Sequence, residues 1–118
     1  MLMKILPENK NMFTYMDTAA PGPEVIKGEG IVLLSYIYRD SNFKQQAKVL
    51  NDLSKVMKNI IQVFIIDEDE VQQYNEFDIN GSPTFILLYN GEEKGRLLGK
   101  SDIKSLTDFI SNHLLEMI

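Results

Sequence analysis

An α/β fold is predicted for this chain of 118 residues, with a central mixed sheet of four to five strands and helices on both faces. Three observations lead there. Two near-continuous apolar runs, Ile31 to Tyr38 and Ile60 to Ile66, have the composition of strands buried on both faces. A stretch of helical periodicity separates them, and strand, helix, strand is the sequence form of a right-handed parallel crossover. Downstream, Asn90-Gly91 follows the strand formers Thr84 to Tyr89, and that pair supplies positive φ at both central positions of a type I′ hairpin.

Residues 1–27 are the least legible segment and are expected to be an irregular strand and helix region. Met3 to Leu6 has the character of a short strand, and Phe13 to Met16 that of a strand or a helical turn. Pro21, Gly22 and Pro23 exclude a regular helix between Ala20 and Glu24. Gly28-Glu29-Gly30 then breaks the chain before the central strand.

Asp40, Ser41 and Asn42 are good N-cap residues, and a helix is predicted from about Phe43 to Lys58. Phe43, Ala47, Leu50, Met57 and Ile60 recur near helical spacing, Leu53 and Val56 widen the stripe, and Lys44, Gln45, Lys48, Asp52 and Lys55 face away. After the second buried strand, Asp67 and Glu70 have the spacing of an acidic capping box ahead of a short helix, about Glu68 to Glu76. Pro83 reads as the first residue of a strand, because proline lacks the N–H that a ladder needs. Glu93 to Leu98 returns from the hairpin. Ile103, Leu106, Phe109, Ile110, Leu114 and Met117 mark an amphipathic last helix capped by Ser101 or Asp102.

Bulk composition narrows the classes. A hydrophobic content of 44% suits a globular protein, and a single domain is expected over 1–118. Seventeen acidic against twelve basic side chains give a formal charge of −5, which repels phosphate backbones, so no nucleic acid is expected as partner. The apolar run at Met1 to Leu6 is too short for a signal peptide. No stretch approaches the ~20 apolar residues of a bilayer span. A cytoplasmic protein with no membrane association is the expectation. Cysteine is absent from the chain.

The stretch Gly81-Ser82-Pro83-Thr84, the strand after it and the Asn90-Gly91 hairpin resemble the thioredoxin family, which commonly carries Gly-Ile-Pro-Thr with a cis-proline there. From Ile31 onward the order of elements also matches that family, over roughly three quarters of the chain. The resemblance implies a thioredoxin fold, and it places the family's Cys-x-x-Cys motif on Asp40-Ser41-Asn42-Phe43. Neither cysteine position holds a thiol. The family's buried aspartate and its lysine partner fall on Leu34 and Val63, both aliphatic. Thiol–disulfide exchange needs a thiolate, so disulfide oxidoreductase activity is excluded and no catalytic residue is assigned.

What the resemblance implies instead is recognition. In redox members of the family the backbone beside the cis-proline pairs with an extended peptide, and strand addition of that kind needs no cysteine. The candidate surface for a protein or peptide partner is Tyr38, Arg39, Asp40, Ser41, Asn42 and Phe43 together with Ser82 and Pro83. For Arg39 and Phe43 the alternative of one solvated and one packed inside stays open. A glutathione-transferase type of enzyme using the hydroxyl of Ser41 or Tyr38 is the competing reading, and a purely structural subunit is a third. Ser41 has no histidine near in sequence to act as base, which favours capping. Asp67-Glu68-Asp69-Glu70 lacks the glycine and spacing of a calcium loop, and lone His113 is a helix-end residue rather than a metal ligand. No metal or cofactor is expected, and a homodimer stays open.

Overall fold

In the computed structural model, residues 2–5, 13–16 and 28–117 are described. Strands β1 (Leu2–Ile5) and β2 (Phe13–Met16) precede β3 (Ile31–Tyr36), helix α1 (Phe43–Val56) and β4 (Ile61–Ile66). A 3-10 helix (Val71–Phe77) leads to β5 (Thr84–Tyr89), β6 (Glu92–Leu98) and helix α2 (Ile103–Met117). Among these residues one mixed sheet runs in the order β2-β1-β4-β3-β5-β6. The strands β3 to β6 are its four-stranded centre and edge, and β1 and β2 extend it as an antiparallel pair beyond β4. The proline- and glycine-bearing stretch at 20–24 lies outside the described residues.

The apolar runs at 31 and 61 become neighbouring parallel strands, pairing from Ile31↔Ile61 to Tyr36↔Ile66. β5 lies antiparallel on the other side of β3, from Ile31↔Tyr89 to Tyr36↔Thr84. Alternation of side chains across the sheet divides the core in two. On one face Leu33, Val63, Ile65, Phe85 and Leu87 pack with Ala47, Leu50 and Leu53 of α1 and Leu106 and Ile110 of α2. On the other, Leu34, Phe64, Ile66, Ile86 and Leu88 pack with Tyr74 and Phe77 of the 3-10 helix. Each fully buried Leu, Ile or Phe contributes roughly 1.5–3 kcal/mol by leaving water.

This register corrects one pairing. Leu34 and Val63 do not face each other, because Val63 pairs with Leu33 and Leu34 with Phe64, which puts the two on opposite faces of the sheet. Ser35 shares the face of Val63, fully buried between Ile65 and Phe85, and its hydroxyl has no hydrogen-bond partner among the described residues.

Helix boundaries also have local causes. α1 stops at Val56, and Asn59 takes a left-handed conformation with φ of 69° before β4 begins. Ile60 therefore falls in the reversal, 49% exposed, and Val56 at 63% lies off the buried stripe. Gln46, Asn51 and Ser54 are the polar residues buried on that helix in their place. α2 starts as its sequence suggests, with Asp102 Oδ1 accepting the Ser105 N–H at 2.8 Å, and that bond holds the Asp102 carboxyl below its ordinary range. His113 is half-buried rather than solvated: its Nδ1 lies 2.8 Å from the Phe109 carbonyl oxygen, and its ring meets Phe109 edge-on. No helix among the described residues is long and apolar enough to cross a membrane.

Candidate functional site

At the ends of β3 and β4, and at the start of β5, three loops meet. The first, residues 37–42, carries most of the candidate residues, and the second carries the acidic run that begins at Asp67. The third leads from Asp78 to Pro83, where the Ser82–Pro83 peptide is cis. Side-chain to backbone bonds tie the three together. Ser82 Oγ accepts the Tyr38 N–H at 2.8 Å, and the Glu68 carboxylate accepts the Arg39 N–H at 3.1 Å.

Arg39 resolves the alternative posed by the sequence in favour of neither half. Its Nε is 2.7 Å from Asp67 Oδ2, and its guanidinium carbon lies 4.7 Å from the centre of the Phe43 ring. Phe43 packs partly against the core below. The arginine is thus neither merely solvated nor free, since a planar guanidinium can satisfy a carboxylate in its plane and an aromatic ring on its face.

The cap of α1 differs from expectation. Asn42 occupies the N-cap position with φ −92° and ψ −6°, and its side chain makes no capping bond. Asp40 Oδ1 accepts the Asn42 N–H at 2.9 Å instead, and the Asp40 carbonyl accepts the Phe43 N–H at 3.1 Å. A helical backbone at Asn42 points its side chain away from the amides it would otherwise reach, so the preceding aspartate closes the turn. Ser41 is exposed, with no base hydrogen-bonded to it among the described residues.

The acidic run after β4 forms half a capping box. Glu70 Oε1 accepts the Asp67 N–H at 3.3 Å, but the Asp67 carboxylate takes the Asp69 N–H at 3.0 Å and Arg39 in place of the Glu70 amide. The helix that follows is a 3-10 helix from Val71 and not an α-helix from Glu68. Asp67 and Glu70 are both buried, and burial pushes the Glu70 carboxyl up from its ordinary value while the Asp67 N–H pulls the other way. Burial next to Glu70 likewise raises the Tyr74 hydroxyl to about 12, and burial raises that of Tyr36, with Tyr38 in edge contact at 5.3 Å adding to it. Neither tyrosine is thereby made a better base or nucleophile. Among the described residues no group of three or more His, Asp or Glu could hold a metal ion.

Pro83 stands between two open clefts. The larger, about 410 Å³, is bounded by Asp78, Pro83, Thr84, Arg96 and Leu98. The smaller, about 170 Å³, is bounded by Ile37, Asp40, Gln46, Pro83 and Lys100. The Pro83 carbonyl accepts the Gly99 N–H at 2.9 Å. By contrast, neither the amide nor the carbonyl of Ser82 has a hydrogen-bond partner among the described residues. Asp40, Asn42, Ser82 and Pro83 are brought together around the smaller cleft. Tyr38 joins them through its amide, whereas Arg39 and Phe43 line neither cleft.

Sequence reading missed the other wall. Arg96 donates from Nη1 to the Asp78 carbonyl at 3.0 Å and from Nη2 to the Phe77 carbonyl, and Glu93 Oε1 holds it at 2.8 Å. It fastens the loop before Ser82 to β6. Leu98 is 69% exposed at the strand end. An arginine in an edge strand carries no sequence signal of such a role.

The thioredoxin family model matches residues 29–112. The chain belongs to the thioredoxin family. Solved structures agree on the fold. Thioredoxin from Aeropyrum pernix is 15% identical, with a TM-score of 0.69 over 96% of this chain and 93% of that one. Oxidised thioredoxin from Plasmodium falciparum is 22% identical, with a TM-score of 0.65 over 77% of this chain and 88% of that one. Thioredoxin-2, a component of the malaria parasite's protein secretion machinery, is 21% identical, with a TM-score of 0.65 over 71% of this chain and 84% of its own. No curated protein sequence matches the chain significantly. This thioredoxin-family chain has no cysteine, so the disulfide exchange of redox thioredoxins lacks its nucleophile here.

Proposed function

We propose that this thioredoxin-family chain is a non-catalytic binding module that takes an extended segment of a partner protein by strand addition beside Ser82 and Pro83. The observation that carries the reading is the pair of backbone groups on Ser82 that have no partner among the described residues, next to a proline walled by two clefts. An unpaired N–H and C=O on one residue are what an added strand needs, and the clefts on either side receive alternate side chains. Catalysis would require a base or an activated hydroxyl at the same place. Among the described residues no base is hydrogen-bonded to Ser41, and the tyrosine raised by burial beside Tyr38 supplies none.

Amide hydrogen exchange and a pull-down on an array of short extended peptides test the reading together. Binding is expected to slow exchange at the Ser82 amide, to be lost in Pro83→Ala, and to persist in Lys55→Ala on the exposed face of α1. Equal losses in the two variants, or an unprotected Ser82 amide in a saturated complex, would overturn it.

A further inference from the structure

The chemistry of the segment follows from charges that the fold leaves uncancelled around the clefts. Arg39 and Arg96 are each already engaged by a carboxylate, Asp67 at 2.7 Å and Glu93 at 2.8 Å. Besides Arg96, already held by Glu93, the charged residues that line the two clefts are Asp40 and Asp78 against Lys100. Two negative charges less one positive leave −1 on the cleft walls, of the same sign as the −5 of the whole chain.

Asp78 is the better placed of the two carboxylates. It lines the larger cleft with Pro83 and exposed Leu98. Its carbonyl is occupied by Arg96 and Asn80, but its carboxylate makes no hydrogen bond or ion-pair contact among the described residues and acts on Arg96 only through space. On the other side of Pro83, the Asp40 carboxylate takes one hydrogen bond among the described residues, from the Asn42 N–H, and shares the smaller cleft with Lys100. In the larger cleft an uncancelled carboxylate beside an apolar wall complements a cationic strand and repels an anionic one, whereas in the smaller cleft Lys100 offsets Asp40.

Resting on the peptide-binding reading, we infer that the captured segment is basic: an extended stretch presenting a lysine or arginine to Asp78 and an apolar side chain to Leu98 and Pro83.

The test uses the full chain and two acetylated, amidated peptides in which leucine alternates with lysine or with glutamate, followed by backbone amide chemical shifts. The lysine peptide is expected to shift Gly81, Ser82 and Thr84 saturably, to weaken as salt is raised, and to bind about two- to fivefold more weakly to Asp78→Asn, the range of one exposed charge pair. Asparagine tolerates the left-handed backbone of residue 78, where φ is 51°, so that variant keeps the loop. Lys55→Ala is expected to bind as the parent does. If the glutamate peptide shifts Ser82 as strongly as the lysine peptide, this inference falls and strand addition stands. If neither peptide, nor a neutral one alternating leucine with threonine, moves Ser82, the binding reading itself falls. Salt-independent binding of the lysine peptide, or its self-association traced in the absence of protein, likewise overturns the charge argument.

Discussion

Gln46 and Ser101 exchange two hydrogen bonds: the Gln46 side-chain amide donates to the Ser101 carbonyl, and its oxygen accepts the Ser101 N–H, both at 3.2 Å. A buried side chain thereby does for the start of α2 what a neighbouring strand would do. It holds Gly99 and Lys100, which wall the smaller cleft, against α1.

Gln46→Leu removes both bonds and leaves the two backbone groups of Ser101 buried without partners. Chemical denaturation is expected to show a loss of about 1–3 kcal/mol. A loss indistinguishable from that of an exposed substitution would mean that water replaces the pair.

Gly95 has no side chain because His113 occupies the space. A Cβ there would lie 2.6 Å from His113 Nε2, and that ring is held by Phe109 through both its carbonyl and its ring. Gly95→Ala is expected to cost about 1–3 kcal/mol through overpacking. In a His113→Ala background the same change should cost at least about 0.5 kcal/mol less, a coupling readable from a double-mutant cycle.

Arg39→Ala takes from Asp67, whose side chain is 8% exposed, the cation that balances it. Because the arginine side chain is itself 39% exposed, the expected loss is only about 1 kcal/mol. Arg39→Lys should recover part of it, since an ammonium restores the charge but not the planar contact with Phe43. Full recovery would show that the ring contact contributes nothing measurable.

Glu70 gives a pH signature. Its carboxyl is raised on folding, chiefly by burial, so between the unfolded value near 4.3 and the higher folded value the native state binds more protons than the unfolded chain. Stability from this group is present below the unfolded value and falls as pH rises through the folded one. Glu70→Gln, which keeps an acceptor for the Asp67 N–H, should flatten that fall when melting is followed from pH 4 to pH 7.

Glutathione is expected to leave the melting temperature unchanged. A specific ligand at a hundred times its dissociation constant would stabilise the chain by ~2.7 kcal/mol. A shift of that size would restore the transferase reading.

The boundaries of these elements were legible where one physical signal dominates. The apolar runs placed β3 and β4 to within two residues, for β3 stops at Tyr36 and β4 starts at Ile61; Asn90-Gly91 marked the β5–β6 turn, and of Ser101 and Asp102 it is Asp102 that caps α2. The cap of α1 was not legible to the residue, because Asp40, Ser41 and Asn42 are all competent and only the backbone angles choose Asp40. Of the candidate site, the half near Pro83 followed from the resemblance. The half made by Asp78, Arg96 and Leu98 depends on β6 folding back beside β5, which puts residues some twenty positions apart on one wall.

The order of strands and helices, the negative charge and the lack of any thiol belong to the sequence alone, because each is a property of composition or of spacing along the chain. Which polar side chains are buried, that Leu34 and Val63 part to opposite faces, and that two backbone groups of Ser82 have no partner among the described residues belong to the tertiary structure. Those depend on register and on loop meeting loop, where a shift of one residue exchanges the inside of the sheet for its other side.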